Sequence, residues 1–290
     1  MKGTSFYLIA LLTGYGLDLC FGTSRCTYLS ANWINQGIFV LEKSICNHFT
    51  RIEKKEAFVK GILAILIISI LGMIGASILV IADWIHPVVS FLAAVLISCQ
   101  MLGNRLLQDQ SKQVYRELKI GKSKEKIEQY KKEKAIQEMI ETVAKGISED
   151  VIAPLFYMAL FGPIGGIIYQ AGNRISFMEV KLNEIINYIP SRLAAGLMII
   201  ACAFLQFPVK ETYRIFLRDR YICEDINSGQ TRAVCAGALG IQLMEMGDAK
   251  RKATCEDILS VNRILSVSSY LGLVLLTLGC WAVRKLFGID

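Results

Sequence analysis

Histidine is nearly absent from this chain: His48 and His86 are the two in 290 residues. With so few imidazoles, and nine cysteines of which none forms a CxxC pair, the usual ligand spacing of a zinc site is missing. The odd number of scattered thiols also argues against a disulfide framework. There is no Walker-type Gly-rich loop with its Lys, no GxSxG elbow and no HExxH pair. No stretch interleaves clustered Arg with stacking aromatics, so nucleic acid is not an expected partner and the net charge of +7 needs another explanation. A cleavage pattern is missing too. The apolar run after Lys2 is followed by no small-residue site and is interrupted by Asp18, so it is expected to be a retained membrane segment.

Apolar residues are abundant: 53% of the chain, with a mean hydropathy of +0.44. They collect into blocks separated by charged stretches. A membrane helix needs about 20 mostly apolar residues. Gly61–Ile81 meets that without a charge, and Phe6–Phe21, Pro87–Leu102, Val151–Tyr169, Leu193–Phe207 and Leu271–Val283 are shorter candidates. If all six cross, one side carries Lys2, Arg174, Lys181, Arg192, Arg284 and Lys285, and the other side the remaining 26 of 32 basic residues. Positive residues favour the cytoplasmic side. Loops 22–60, 103–150 and 208–270 are therefore expected in the cytoplasm of a bacterial-type inner membrane. The expected fold is all-α, a polytopic membrane helical bundle of four to six spans, read as one integral membrane domain over 1–290 with a cytoplasmic helical insertion at about 105–147. In that insertion Lys124, Glu128 and Lys132, and Glu141 and Lys145, are spaced for pairing along a helix. Ile136, Met139, Ile140 and Val143 form one apolar face.

Several polar residues and breakers stand out against this background. Asp18 is an ionisable group near the end of a membrane block, as apt for an interfacial as for a functional role. Gly162-Pro163-Ile164-Gly165-Gly166 breaks the fourth block, leaving a re-entrant segment or a kinked helix. Asp225 to Thr231 reads as a turn and helix cap before a helical run over Ala233–Glu245; such a terminus can also hold a phosphate. Arg214, Arg218 and Arg220 just before it suit either anchoring at the membrane surface or contacts to an anion.

One set of residues carries a family resemblance. Glu141-Thr142-Val143-Ala144 and Asp150-Val151-Ile152-Ala153-Pro154-Leu155-Phe156-Tyr157 are followed by Tyr169, Asn173 and Met178. Asn187-Tyr188-Ile189-Pro190-Ser191-Arg192-Leu193 comes next, then Asn227-Ser228-Gly229 and Ala236-Gly237-Ala238-Leu239-Gly240-Ile241-Gln242-Leu243. In this collinear order the chain resembles the adenosylcobinamide-phosphate synthases, membrane proteins of cobalamin biosynthesis. Gly16-Leu17-Asp18 through Phe21-Gly22 is similar to the family's opening L-D-x-x-x-G-D-P. The resemblance implies amide ligation of aminopropanol or its phosphate to adenosylcobyric acid, with ATP and Mg²⁺ as cofactors, a corrinoid as substrate and the lipid bilayer as surroundings. It leaves the oligomeric state open. Ser148, Glu149 and Asp150 would be catalytic. Asp18, Asn173, Arg192, Asn227, Ser228 and Gly229 would bind substrate.

The departures fall on polar groups. The family's Glu-Asn-x-Ser-Asp-Gly becomes Lys145-Gly146-Ile147-Ser148-Glu149-Asp150, and the Glu after its P-N-[AS]-G turn becomes Arg232. Its N-T-L-D-S-M becomes Asn173-Arg174-Ile175-Ser176-Phe177-Met178, and its G-D-P becomes Gly22-Thr23-Ser24. These losses keep a second expectation open: a catalytically impaired relative acting as a corrinoid- or partner-binding membrane subunit or regulator. A small transporter ranks last, because a single broken block and no internal repeat are present. The six-crossing count would also put Asn173 on the opposite side from Ser148 and Asn227, whereas a re-entrant fourth block would reunite Ser148 with Asn173.

Overall fold

The computed structural model describes residues 4–21, 56–120, 126–175 and 180–288. Among them the elements are helical, in agreement with the all-α expectation. In chain order they are α1 (Thr4–Phe21), α2 (Glu56–Ile85), α3 (Pro87–Met101), α4 (Asn104–Ile120) and α5 (Lys126–Gly146). A π-helical turn (Ile147–Ile152) follows, then α6 (Ala153–Phe161), α7 (Pro163–Arg174), α8 (Val180–Phe204), α9 (Val209–Asp219), α10 (Ile226–Leu239) and α11 (Cys255–Phe287). Four stretches are long and apolar enough to cross a membrane: Ala64–Ile85, Pro87–Ile120, Asn183–Phe204 and Cys255–Phe287. Phe6–Cys20 is a shorter apolar helix. The protein is a multi-pass membrane protein built from such helices.

The chain divides into two compact units. The first comprises Met1–Gly103, Pro154–Ile186 and Leu275–Asp290. Here α1 lies against α3 at Gly14, where a Cβ would come within 2.8 Å of Ser98 Cβ, so the small residue allows the helices to approach. Pro87 opens α3 at a position where its missing amide costs nothing, and the His86 ring accepts from Val88 N at 3.2 Å. On α2 the side chains of Ile65, Met73, Ile81 and Trp84 are exposed, as a lipid-facing surface requires.

The fourth apolar block is not one crossing but a helical hairpin within this unit. With 9 and 12 residues, α6 and α7 reach about 14 and 18 Å at 1.5 Å per residue, short of the roughly 30 Å hydrocarbon core. Between them Gly162 has φ 70° and ψ −166°, a conformation open to glycine alone. The Tyr157 and Tyr169 rings stack at 5.1 Å across the hairpin, and a Cβ on Gly165 would lie 2.3 Å from Tyr157 O. Arg284 donates to Leu160 O at 2.8 Å and so satisfies a terminal carbonyl of α6. Of the two expectations for this block, the hairpin rather than the kinked helix is what the chain adopts.

The second unit comprises Asn104–Ala153 and Asn187–Val274. Asn104, Leu107, Gln108 and Ser111 bury one face of α4. Three polar contacts join that face to α11: Asn104 to Ser269 at 3.4 Å, Gln108 to Ser266 at 3.1 Å and Ser111 to Asn262 at 2.9 Å. The expected apolar face of α5 is buried at all four positions, Ile136, Met139, Ile140 and Val143. The pairing along α5 differs from expectation. Lys145 turns forward to Glu149 instead of back to Glu141, while the side chains of Lys124 and Glu128 lie outside the described residues.

At the centre is α10, where all side chains but Ile226 and Arg232 are buried. It begins at Ile226 rather than at Ala233, because the Asp225 carboxylate accepts from the amides of Asn227 and Ser228 and caps the helix seven residues early. Its end is Gly240, left-handed at φ 63°. A Cβ on Gly237 would come within 2.7 Å of Thr212 Cα, which fixes the close packing of α9. Lys252 pairs with Glu133 at 2.9 Å, and Gln137 donates to Gln242 O at 3.1 Å. These contacts put the charged segments around α5 and α10 on one side of any bilayer; with the fourth block a hairpin, α8 between them is then not a complete crossing, although its length and hydropathy would allow one.

Candidate functional site

Four residues of α5, Glu138, Glu141, Thr142 and Lys145, recur at helical spacing and share one face. That stripe continues through Gly146, Glu149 and Asp150 at the π turn and meets Arg232, the half-exposed polar residue of α10. Together they enclose a cavity of about 320 Å³. The π turn carries an i→i+5 bond from Ala153 N to Ser148 O and so holds one more residue than an α turn. Gly146 stands at its start. A Cβ there would come within 2.6 Å of Leu107 and 3.1 Å of the Asp150 carboxylate.

The cavity mixes four carboxylates with two cations. Burial pushes Glu149 up to about 6, with Asp225 and Asp150 adding to the rise and Lys145 opposing it. Burial also raises Glu141; Arg232 opposes the shift and Glu138 adds to it. The Lys145 ammonium lies 3.5 Å from Glu149 Oε1 and 3.7 Å from Asp225 Oδ2. Among the described residues no acid forms an ion pair with Arg232. Its Nε is buried without a hydrogen-bond partner among the described residues, and Nη1 reaches only the sulfurs of Cys223 at 3.8 Å and Met244 at 3.6 Å.

A polar cluster lies on the other side of Asp225. Its carboxylate caps Asn227 and Ser228, and Asn227 Oδ1 accepts from Ser191 Oγ at 3.1 Å and Arg192 Nη1 at 3.4 Å. Arg192 stacks over the Tyr188 ring at 3.4 Å and donates to Tyr188 O at 2.7 Å.

The family model described as CobD/Cbib protein matches residues 11–179 and 173–260. The chain belongs to the CobD/CbiB family. It is 28% identical to the cobalamin biosynthesis protein CobD of Clostridium perfringens, over 92% of this chain and 96% of that protein. The CobD of Streptococcus sanguinis is also 28% identical, over 93% and 96%. The cobalamin biosynthesis protein CbiB of Salmonella arizonae is 25% identical, over 94% and 98%. No solved structure matches. Membership of the CobD/CbiB family gives this protein a role in cobalamin biosynthesis, as the resemblance implied.

In this CobD/CbiB chain the expected residues distribute as follows. Glu149 and Asp150 line the cavity. Ser148 is buried beside them but does not line it, and its hydroxyl meets no partner among the described residues. Arg192, Asn227 and Ser228 form the second cluster. Gly229 serves packing, since a Cβ would come within 2.8 Å of Arg220 O, and its amide is spent on Asp225 O at 3.0 Å. Asp18 is buried in α1 and Asn173 half-buried in the last turn of α7, both in the first unit. Met178 and Gly22 to Ser24 lie outside the described residues. Arg214 and Arg218 are taken up by Glu211, Asp219 and Asp248, and Arg220 lies over Phe216 and Tyr221.

Lys145, Glu141, Arg232 and Asp225 complete the site and were not singled out as site residues from the sequence. A signal was present: Lys145 and Arg232 are the two positions where a Glu of the family pattern is replaced by a cation, and both face this cavity. The same placement decides how Mg²⁺ would fit. A side-chain ammonium already stands between Glu149 and Asp225, and among the described residues no three acid, His or Cys groups converge as a metal requires. The α10 amides that could cradle a phosphate of ATP face Asp225 instead. The described residues that line this cavity therefore fit neither Mg²⁺ nor ATP.

Proposed function

We propose that this protein joins the carboxyl group of a corrinoid acid, adenosylcobyric acid, to the amine of aminopropanol or its phosphate, and that the Lys145–Glu149–Arg232 cavity holds the amine. The observation that carries the reading is the mixed charge of the cavity. Carboxylates suit the ammonium end of an amino alcohol phosphate, and Lys145 with Arg232 suits its phosphate. A volume of about 320 Å³ lies at the small-ligand end of pocket sizes. It matches the amine better than a corrinoid, whose ring system needs a larger surface.

Amide formation needs the amine neutral. With a pKa of about 6, Glu149 is ionised at neutral pH and placed to accept the ammonium proton; the freed nitrogen lone pair then forms the C–N bond to the carboxyl carbon of an activated acyl group such as an acyl phosphate, whose C–O bond breaks as phosphate leaves with the bonding electrons. Arg232 and Lys145 hold the phosphate and orient the amine.

The test is rescue of a synthase-deficient strain fed cobyric acid, with cobamide output measured. The chain should restore output, and Glu149→Gln should reduce it by about a hundredfold, in the range of a lost general base. Failure of the wild-type chain to rescue removes the ligase reading. The second reading, a relative that binds without ligating, is favoured by one observation: two cations stand where the family pattern has acids. Under it the purified chain binds the amino alcohol phosphate yet yields no amide.

A further inference from the structure

A second cavity, of about 370 Å³, lies in the same unit beside the polar contacts between α4 and α11. Gln108 and Lys112 of α4 face Asn262, Arg263 and Ser266 of α11 across it, with Leu205, Leu259 and Val267 as its apolar wall. We propose that it binds the headgroup phosphate of an anionic phospholipid.

Three observations lead there. The first is charge: both ionisable groups of the lining are cations, and among the described residues neither Lys112 nor Arg263 has an ion-pair partner. The second is an unspent donor. Asn262 is 6% exposed; its Oδ1 accepts from Ser111 Oγ at 2.9 Å, while its Nδ2 is buried without a hydrogen-bond partner among the described residues. A phosphate oxygen would satisfy it. The third is depth. Arg263 is the last charge on α11 before a charge-free run from Ile264 to Val283, about the 20 residues of a full span. Leu205 comes directly after the last residue of α8, where that helix's own apolar run ends. The cavity thus sits where hydrocarbon gives way to headgroups, cations outward and aliphatic side chains toward the acyl chains. It lies on the side that carries most of the chain's Lys and Arg, the side where anionic lipids exert their attraction.

This assignment is independent of the amine cavity, so it survives or fails separately from the ligase reading. The full chain is purified in detergent, delipidated, and titrated with phosphatidylglycerol or phosphatidylcholine in mixed micelles, with retained lipid read by native mass spectrometry. Two interfacial cations predict roughly a thirtyfold preference for phosphatidylglycerol. Lys112→Gln with Arg263→Gln should bring the two lipids level, and Arg263→Lys should keep most of the preference, while the melting temperature stays that of the wild type. Equal retention of both lipids by the wild-type chain, or an undiminished preference in the double variant, overturns the proposal. Displacement of phosphatidylglycerol by inorganic phosphate alone overturns it too, because the cavity would then be a site for free phosphate.

Discussion

Lys145 Nζ stands 3.5 Å from Glu149 Oε1, a pair formed across the junction of α5 and the π turn, and this contact opposes the burial that holds Glu149 near 6. In the proposed reaction the two residues divide the work of accepting the proton. Burial makes the carboxylate basic enough to take a proton, and the ammonium keeps it ionised at neutral pH.

Removing the cation should therefore move the acid limb of the reaction. In Lys145→Ala the opposing charge is gone and Glu149 titrates higher still. The pH dependence of kcat/KM for amide formation should shift upward by about one unit on its acid side. An acid limb that stays in place would assign the proton to another group.

The same burial costs stability. A carboxyl whose folded pKa lies above its unfolded value binds more protons in the folded state, so stability falls as pH rises between the two values. For Glu149 that interval runs from 4.5 to about 6. It corresponds to about 2 kcal/mol, at 1.36 kcal/mol per unit. Glu149→Gln should melt higher than the wild type at pH 7.5 and level with it near pH 4, while losing activity. A melting difference that does not change with pH would contradict this.

The hairpin depends on two glycines for different reasons. Gly162→Ala forces a side chain into a conformation costing about 1–3 kcal/mol, and Gly165→Ala drives a Cβ against the Tyr157 carbonyl, which cannot yield without moving α6. Both should lower the melting temperature in detergent. Gly196→Ala on α8 meets nothing within 4 Å and should be neutral or slightly stabilising. Equal effects at all three positions would remove the hairpin as their cause.

Sidedness follows from the contacts between the charged segments. Single cysteines introduced at Lys134 and at Glu245, both exposed, should react with a membrane-impermeant maleimide from the same face of sealed vesicles, the cytoplasmic one. Labelling from opposite faces would break the Gln137–Gln242 and Lys252–Glu133 contacts as descriptions of the protein in its membrane.

Much of this was readable from the chain alone, and the reason is period. The apolar face of α5 repeats at 3, 4 and 7 residues, and burial follows that repeat. The break at Gly162 shows because glycine and proline act locally. Other features depend on distance. Lys145 and Arg232 are far apart in the chain, and nothing local says that they face one cavity; they stood out only as departures from a family pattern. Asp225 was legible as part of the capping turn but not as the cap itself, because Asn, Ser and Thr beside it are equally good caps and only the fold shows which side chain takes the amides. The pairing of Lys145 with Glu149 instead of Glu141 was hidden because both lie four residues away.

The extra residue of the π turn has one more consequence. Deleting a single residue between Ile147 and Ile152 would let the helix run on with ordinary geometry, and every side chain after the deletion would rotate about a hundred degrees around the axis. Chain length at this one point thus acts as a dial that sets which side chains look into the cavity, and a shortened relative would keep its scaffold while presenting a different chemistry.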